Sequence, residues 1–368
     1  MIIGLEAERA NLPNPTGVER YAAELIKHLA KIDHKNEYIL YFRTPPAQWF
    51  RQLPTNFKCK VMPFPKFWTQ VRLSWETIIH PVDVMMILAS ALPLIHPKNS
   101  IATVHDIAFE MFPRAFTIFM RKYLQWSTRF AVKSAEKVVS VSESTKNDLV
   151  RIYGADPDKI EVIHLGFDAS KYSPKTYEQV QPVLDQWNLV YQKYILFVGT
   201  LQPRKNILKL IEAFELLRKM NRIEEKLVIV GGKGWLWEPI YEKIQGVKDG
   251  SLVYLNYVSD ADLKTLYAGA SLLTLPALYE GFGLPPLEAM ASGVPVVVSN
   301  ISSLPEVVGG AGKLVDPNSV ESIRNGILEV LVNQGLRSEM IEKGLLQARK
   351  FTWEECARKT LALIESLK

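Results

Sequence analysis

The stretch EGFGLPPLE, residues 280–288, decides how this 368-residue chain is read. It stands between an apolar run, Ser271 to Leu275, and a helix-like run, Pro285 to Ser292. Two carboxylates eight positions apart, with Gly281, Gly283 and the Pro285-Pro286 pair between them, fit a loop that feeds a helix start. The first turn of a helix leaves its N–H groups unpaired and carries a partial positive charge, so such a loop aims backbone donors at phosphate oxygens. Pro285 suits the first helical position, where its missing N–H costs nothing. A carboxylate on each side accepts hydrogen bonds from hydroxyls. Phosphate and polyol together are the chemistry of a nucleotide sugar. Taken alone, the spacing also fits ordinary strand-to-helix punctuation in an α/β protein.

Outward from this loop the second half of the chain alternates. Short, almost uniformly apolar runs recur at Tyr194–Val198, Leu227–Val230, Leu252–Leu255, Leu272–Leu275 and Val294–Val298, as expected of strands buried on both faces. Between and after them lie helical patterns at Asn206–Lys219, Ser259–Ala268, Glu321–Val332 and Leu336–Lys350. Ser259 with Asp262 three residues on comes close to a capping box. The first half is noisier, with strand candidates at Ile2–Leu5, Tyr38–Phe42, Lys60–Met62, Val84–Ile87, Ile101–Val104, Val138–Val141 and Ile160–Ile163. Its helices are predicted at Thr16–Lys31, Phe116–Glu136 and Ser142–Tyr153. Strands alternating with helices imply doubly wound parallel sheets. The polar stretch Asp168 to Tyr191 reads as a linker, and Thr352–Lys368 as a last amphipathic helix.

Composition narrows the classes. Apolar residues make up 48% and charged residues 23%, ordinary for a soluble globular protein, and the length favours two domains. Two distant cysteines, Cys59 and Cys356, and six histidines without HxxxH or HExxH spacing point to a reducing cytoplasm and no metal site. The start, MIIGLEAERA, reads as a strand rather than a signal peptide. The longest apolar run, Val84 to Ile95, is too short to span a bilayer and holds Pro93, so the chain is expected to be soluble or peripheral. A net charge of +5 without a dense basic stripe argues against nucleic acid. One region is locally basic: Arg114, Arg121, Lys122, Arg129, Lys133 and Lys137 interleave with Phe116, Phe119, Tyr123, Trp126 and Phe130. That pattern fits an anionic membrane surface, or a surface helix whose apolar stripe faces the core.

Four constellations carry chemistry. In GTLQPRKN, residues 199–206, Gly199 follows a strand and Arg204 and Lys205 precede a helix, at the strand end where open α/β sheets bind ligands. Arg grips phosphate bidentately and Lys acts as a point charge, so with the 280–288 loop the pair is read as a diphosphate site. In TVHDIAFEMFP, residues 103–113, a strand delivers His105 and Asp106; a sugar contact and a structural histidine with Asp106 as helix cap both fit. In NLPNPTGVERYAAEL, residues 11–25, a loop leads into a helix near Gly17, the place where a second lobe would approach a bound phosphate; without GxGxxG spacing it gives no support to a dehydrogenase-type fold. LVIVGGKGW, residues 227–235, and LNYVSD, residues 255–260, offer a base pocket around Val258, or plain turns.

With these residues in place the chain resembles the retaining glycosyltransferases of family 4, which have the GT-B fold, and among them bacterial enzymes that build surface polysaccharides. EGFGLPPLEAMASGVPVV, residues 280–297, is similar to that family's paired-glutamate element with its helix and strand, and GTLQPRKN to its phosphate segment. The resemblance covers essentially the whole chain. It implies two Rossmann-like domains facing a central cleft: an acceptor-binding domain at 1–172, a nucleotide-sugar-binding domain at 190–351, and a helix at 352–368 packing back on the first. It also implies roles. Arg204 and Lys205 would hold the diphosphate; Phe282, Gly283 and Leu284 would contact sugar and phosphates through their amides. Glu280 would sit near the transferred sugar and Glu288 would take the ribose hydroxyls. His105 would approach the sugar ring and Gly17 would face the diphosphate.

Two departures stand out. Thr200 occupies the place where many relatives carry Arg, which shifts charge onto Arg204, and Leu165-Gly166-Phe167-Asp168 replaces an Asn-Gly-Val-Asp stretch. The expected reaction moves glucose or mannose from UDP-glucose or GDP-mannose to a glycan or lipid-linked acceptor, with retention, no cofactor and no metal. The expected place is the cytoplasm, peripherally on the inner membrane face. The competing readings are a sugar-nucleotide epimerase of the same architecture and a silent sugar-nucleotide-binding subunit.

Overall fold

A computed structural model of the chain describes residues 1–12, 17–168 and 171–368. The expected loop before Gly17, residues 13–16, lies outside the described residues, and Thr16 of the predicted helix with it. The chain divides into two compact units, Met1–Gly166 with Phe351–Lys368, and Phe167–Lys350.

Both units are doubly wound α/β sheets in which every described pairing is parallel. The first holds β1 (Ile2–Glu6), β2 (Glu37–Phe42), β3 (Phe57–Val61), β4 (Val84–Ile87), β5 (Ser100–Val104), β6 (Lys137–Ser140) and β7 (Ile160–Val162). Their order is β3-β2-β1-β4-β5-β6-β7. The second holds β8 (Tyr194–Val198), β9 (Lys226–Val230), β10 (Leu252–Leu255), β11 (Leu272–Leu275), β12 (Val296–Ser299) and β13 (Lys313–Val315), in the order β10-β9-β8-β11-β12-β13. Strand direction of travel reverses between β1 and β4 in one sheet and between β8 and β11 in the other. Loops leaving these strands at such a reversal diverge and open a crevice at the carboxyl ends. The segments that follow β8 and β11 are GTLQPRKN and the approach to EGFGLPPLE.

The central strands are buried because helices cover both faces, which is why they read as unbroken apolar runs. Two of the edge strands, β3 and β13, read poorly for the converse reason, whereas β7 and β10 at the other edges lie where the sequence predicts. β3 pairs over Phe57–Val61, not 60–62, and exposes Lys58 and Cys59; β13 is three residues long and half-exposed. The polar stretch 168–191 is not a free linker. It carries the helix Tyr177–Leu184, capped by Thr176 and Gln179, and buries Val180, Leu184 and Tyr172 within the second unit.

The last helix, Trp353–Glu365, packs on Gly17–Ile32 in the first unit, with the Trp353 and Tyr21 rings 6.4 Å apart. Thr352 caps it by accepting from the Glu355 amide at 3.1 Å. Gly166 makes the seat for this return: a Cβ there would stand 2.2 Å from the Trp353 backbone nitrogen. Gly166→Ala should therefore lower stability by about 1–3 kcal/mol or more through overpacking. Gly246→Ala, whose new methyl meets nothing within 4 Å, is the control. Urea unfolding checks this; equal midpoints for the two variants would refute the account.

Candidate active site

The site grows from glycine-dependent loop packing in the second unit. The amide of Gly199 donates to Val230 O at 2.9 Å, Leu201 N to Gly232 O at 2.9 Å, and Gly234 N to Leu201 O at 3.0 Å. The loops after β8 and β9 are thus laced together, and a Cβ on Gly231 would fall 2.2 Å from Gly199 O. Pro203–Lys205 then forms a single 3-10 turn, ended by Asn206 in the left-handed region at φ 60°. The Asn206 amide donates to Pro276 O at 2.9 Å and Pro317 O at 2.7 Å, so one side chain holds the loop after β8 against the loop after β11.

That clamp brings opposite charges together. Lys205 and Glu280 form a salt bridge, and Arg204 Nη1 lies 3.2 Å from Glu280 Oε2 while donating to Tyr279 O at 3.0 Å. Lys205 and Glu280 are each only 7% exposed. Burial pushes the Glu280 carboxyl up, but the Lys205 and Arg204 charges beside it outweigh that and hold it below the usual carboxylate range. The group of three carries one net positive charge. The Glu280 backbone is fixed as well, its amide donating to the Ser302 hydroxyl at 3.0 Å. Ser303 donates to Phe282 O at 2.6 Å.

Gly283, at φ +112°, turns the chain into the helix Leu284–Ala291. A side chain there is excluded twice, by the backbone angle and by Leu304 at 2.7 Å from the new Cβ. Leu284 takes the first helical position and Pro285 the second, one place later than the sequence predicts. The first N–H groups of this helix lack intrahelical partners. On its far side Glu288, buried, accepts from Tyr172 Oη at 2.8 Å and from Tyr267 Oη at 2.7 Å.

A buried lysine beside a half-buried arginine, with a helix start at the crevice of a doubly wound sheet, fits an anionic ligand. Residues 15–171 match the family described as Glycosyltransferase Family 4, and residues 185–347 the family described as Glycosyl transferases group 1. O-antigen chain mannosyltransferase B of Escherichia coli is 33% identical over 362 residues, covering 94% of this chain and 95% of that one. The chain belongs to the family 4 glycosyltransferases. Solved structures share the fold of this glycosyltransferase. Sucrose-phosphate synthase from Thermosynechococcus elongatus superposes with a TM-score of 0.79 at 19% identity, over 100% of this chain and 98% of that one. Anabaena HepE in complex with UDP and glucose does so with a TM-score of 0.77 at 18% identity, over 99% of each chain.

The other residues singled out in the glycosyltransferase sequence are placed as follows. Thr200 accepts from the Gln202 amide at 2.6 Å. Val258 precedes Ser259, which caps Asp260–Gly269 by accepting from Asp262 N. Gly17 opens Gly17–Ile32, with nothing described within 4 Å of where its Cβ would be. His105 follows the last residue of β5 in the first unit; its Nε2 donates to Leu88 O at 3.0 Å, and Tyr21 meets its ring edge-on at 4.8 Å. That bond fixes the tautomer and leaves the Nδ1 lone pair as an acceptor. Asp106 accepts from Ala108 N at 2.9 Å in a local turn; the helix cap expected of it falls instead to Ile107, which makes no side-chain cap bond. The basic helix Ile118–Ser134 buries Ser127, Thr128, Ala131 and Val132 and exposes Ile118, Phe119 and Trp126, so its large apolar groups do not face the core.

Sequence reading missed Tyr172, Tyr267, Asn206 as a clamp, and the serines at 302 and 303. It also missed Glu6 at the end of β1, whose carboxyl burial pushes up to about 7 against the opposing pull of Arg9. None of these carries a local motif.

Two outcomes follow. Lys205→Ala, expected from sequence to spare the fold, leaves Glu280 buried beside Arg204 alone. It should cost about 3–5 kcal/mol in urea unfolding, and Glu280→Gln in the same chain should restore part of that. Strict additivity of the two changes would contradict the pairing. His105 is held below its ordinary 6.5 by burial, with Asp106 and Glu19 opposing and Arg9 assisting. Its unfolded form binds a proton first as pH falls, so native stability is full above about pH 6.5 and declines below it. Relative to His105→Gln, the wild type should lose melting temperature between about pH 7 and pH 5; a difference independent of pH would exclude a buried neutral histidine.

Proposed function

We propose that this glycosyltransferase moves mannose from GDP-mannose to a lipid-linked glycan acceptor during surface-polysaccharide synthesis, with retention and without a metal ion. The observation that carries the reading is the buried Arg204–Lys205–Glu280 group at the β8/β11 crevice, in the same unit as the helix start after Gly283. As the sugar–phosphate bond breaks, negative charge grows on the diphosphate. Fixed cations and N–H donors that are already oriented stabilise that charge without reorganising. Glu280 holds both cations in place and keeps their attraction from collapsing onto stray anions. Glu288, oriented by two tyrosine hydroxyls, would take the ribose hydroxyls. Retention follows the family resemblance, the leaving phosphate taking the acceptor proton on the same face.

The sugar is argued from relatives. Besides the protein already described, O-antigen chain mannosyltransferase RfbU of Salmonella typhimurium is 30% identical over 240 residues, covering 65% of this chain and 62% of that one. Among the described residues no helix is long and apolar enough to cross a membrane. Peripheral association rests on Ile118 and Phe119, each 77% exposed, beside Arg114, Arg121 and Lys122.

Calorimetry with GDP, UDP and ADP should give tightest binding for GDP, and transfer from GDP-mannose should persist in EDTA. Arg204→Ala should lower kcat by about 10²-fold, one lost transition-state donor. Full activity in that variant, or loss of activity on chelation that Mg²⁺ restores, would remove the metal-free electrostatic reading.

A further inference from the structure

Two serines that follow β12 break local rules that helix and turn geometry would have them keep. Ser302 sits in the left-handed region at φ 61°. That region is costly for a residue with a Cβ, and glycine would occupy it freely. Ser303 is the N-cap of the helix Leu304–Val308, where a serine hydroxyl ordinarily accepts from an amide two or three places on. Here its side chain makes no cap bond. A left-handed serine followed by a serine that forgoes its cap marks a place where local stability has yielded to another demand.

Both hydroxyls go instead to the loop after β11. Ser302 Oγ donates to Glu280 O at 2.6 Å and accepts from Glu280 N at 3.0 Å, so one hydroxyl grips the peptide groups on both sides of that residue. Ser303, fully buried, has its Oγ 2.9 Å from Glu280 O and 2.6 Å from Phe282 O, and its one proton serves the two carbonyls. A peptide unit is flat and trans, with its N–H antiparallel to its C=O. Drawing Phe282 O toward Ser303 therefore turns the Gly283 N–H to the opposite side. Among the described residues that N–H meets no protein acceptor. The bonds to Glu280 fix its main chain, and with it the carboxylate that stands between Lys205 and Arg204. The two serines thus reach both parts of the anion site, the cation group and the amide ahead of the helix. Glycine at 302 would relieve the backbone, but only a hydroxyl offers a donor and an acceptor at once.

We propose that Ser302 and Ser303 are positioning residues of the transfer reaction: they act through Glu280 and the Gly283 N–H, which they hold in the orientation that the leaving diphosphate requires. This rests on the diphosphate reading above and adds what keeps that site preset, at a cost in local stability.

Substitutions at 302 separate hydroxyl from backbone. Ser302→Ala removes the hydroxyl and keeps the left-handed strain; Ser302→Gly removes both. Ser302→Gly should melt about 2 °C or more above Ser302→Ala. Both should lower kcat at least about tenfold, with the donor KM changed less than about threefold, because the lost orientation matters in the transition state. Transfer is measured with whichever of GDP-mannose and UDP-glucose the wild type uses. Ser271→Ala is the control: its hydroxyl donates to Tyr194 O at 2.6 Å, at the opposite end of β11, so that variant should lose melting temperature and keep kcat. Wild-type kcat in both Ser302 variants overturns the proposal, as does a kcat that falls only in step with melting temperature across all the serine variants. A second readout is independent of the sugar. In protein carrying ¹⁵N-glycine, the Gly283 amide resonance should move on addition of GDP or UDP, and Ser303→Ala should diminish that movement. Equal movement in Ser303→Ala removes the orienting role and leaves the diphosphate reading standing. No movement in the wild type with either nucleotide removes the diphosphate reading, and the positioning role with it.

Discussion

The second unit is organised around one carboxylate between two cations. Glu280 comes from the loop after β11, and Arg204 and Lys205 from the loop after β8, so the ion group spans the point where the sheet changes direction. Burying three charges is costly, and the arrangement holds because each charge has a partner and the backbones carrying them are bonded to one another. Much of what surrounds it makes that possible. Gly199 and Gly231 let two loops touch, Asn206 ties the third, and Ser302 and Ser303 hold the chain that enters the helix at Gly283. A site built this way keeps its geometry without ligand, which is what electrostatic catalysis requires.

The paired carboxylates do different work despite their shared motif. Glu280 faces two cations that hold its carboxyl below the usual carboxylate range; Glu288 faces two tyrosine hydroxyls, which donate to it. Eight residues of loop and helix place them in two distinct electrostatic settings.

Much of this was legible beforehand, for physical reasons that also explain the gaps. β8, β9, β11 and β12 are covered on both faces, so their burial shows as nearly uninterrupted apolar sequence. β13 and the helix Tyr177–Leu184 have one wet face each, and their polar residues hid them. The loop 280–288 announced itself because glycine and proline are needed there by backbone geometry. The partnership of Glu280 with Arg204 and Lys205 did not, since it joins positions some 75 apart through a turn that only the sheet order defines. Tyr172 is harder still: it reaches Glu288 across 116 residues, from a stretch whose composition reads as spacer. Local chemistry can be read from a sequence; partners brought together by topology cannot.

The path of the chain has a consequence for its birth. The helix Trp353–Glu365 belongs to the first unit but is synthesised after all of the second. While the ribosome makes residues 167–350, the groove on Gly17–Ile32 around Tyr21 stays open to water, and the N-terminal half waits unfinished. Domains of most proteins are completed in the order they emerge. Here the first to emerge is the last to close, and the nascent chain must be shielded from aggregation until its final turn of helix arrives.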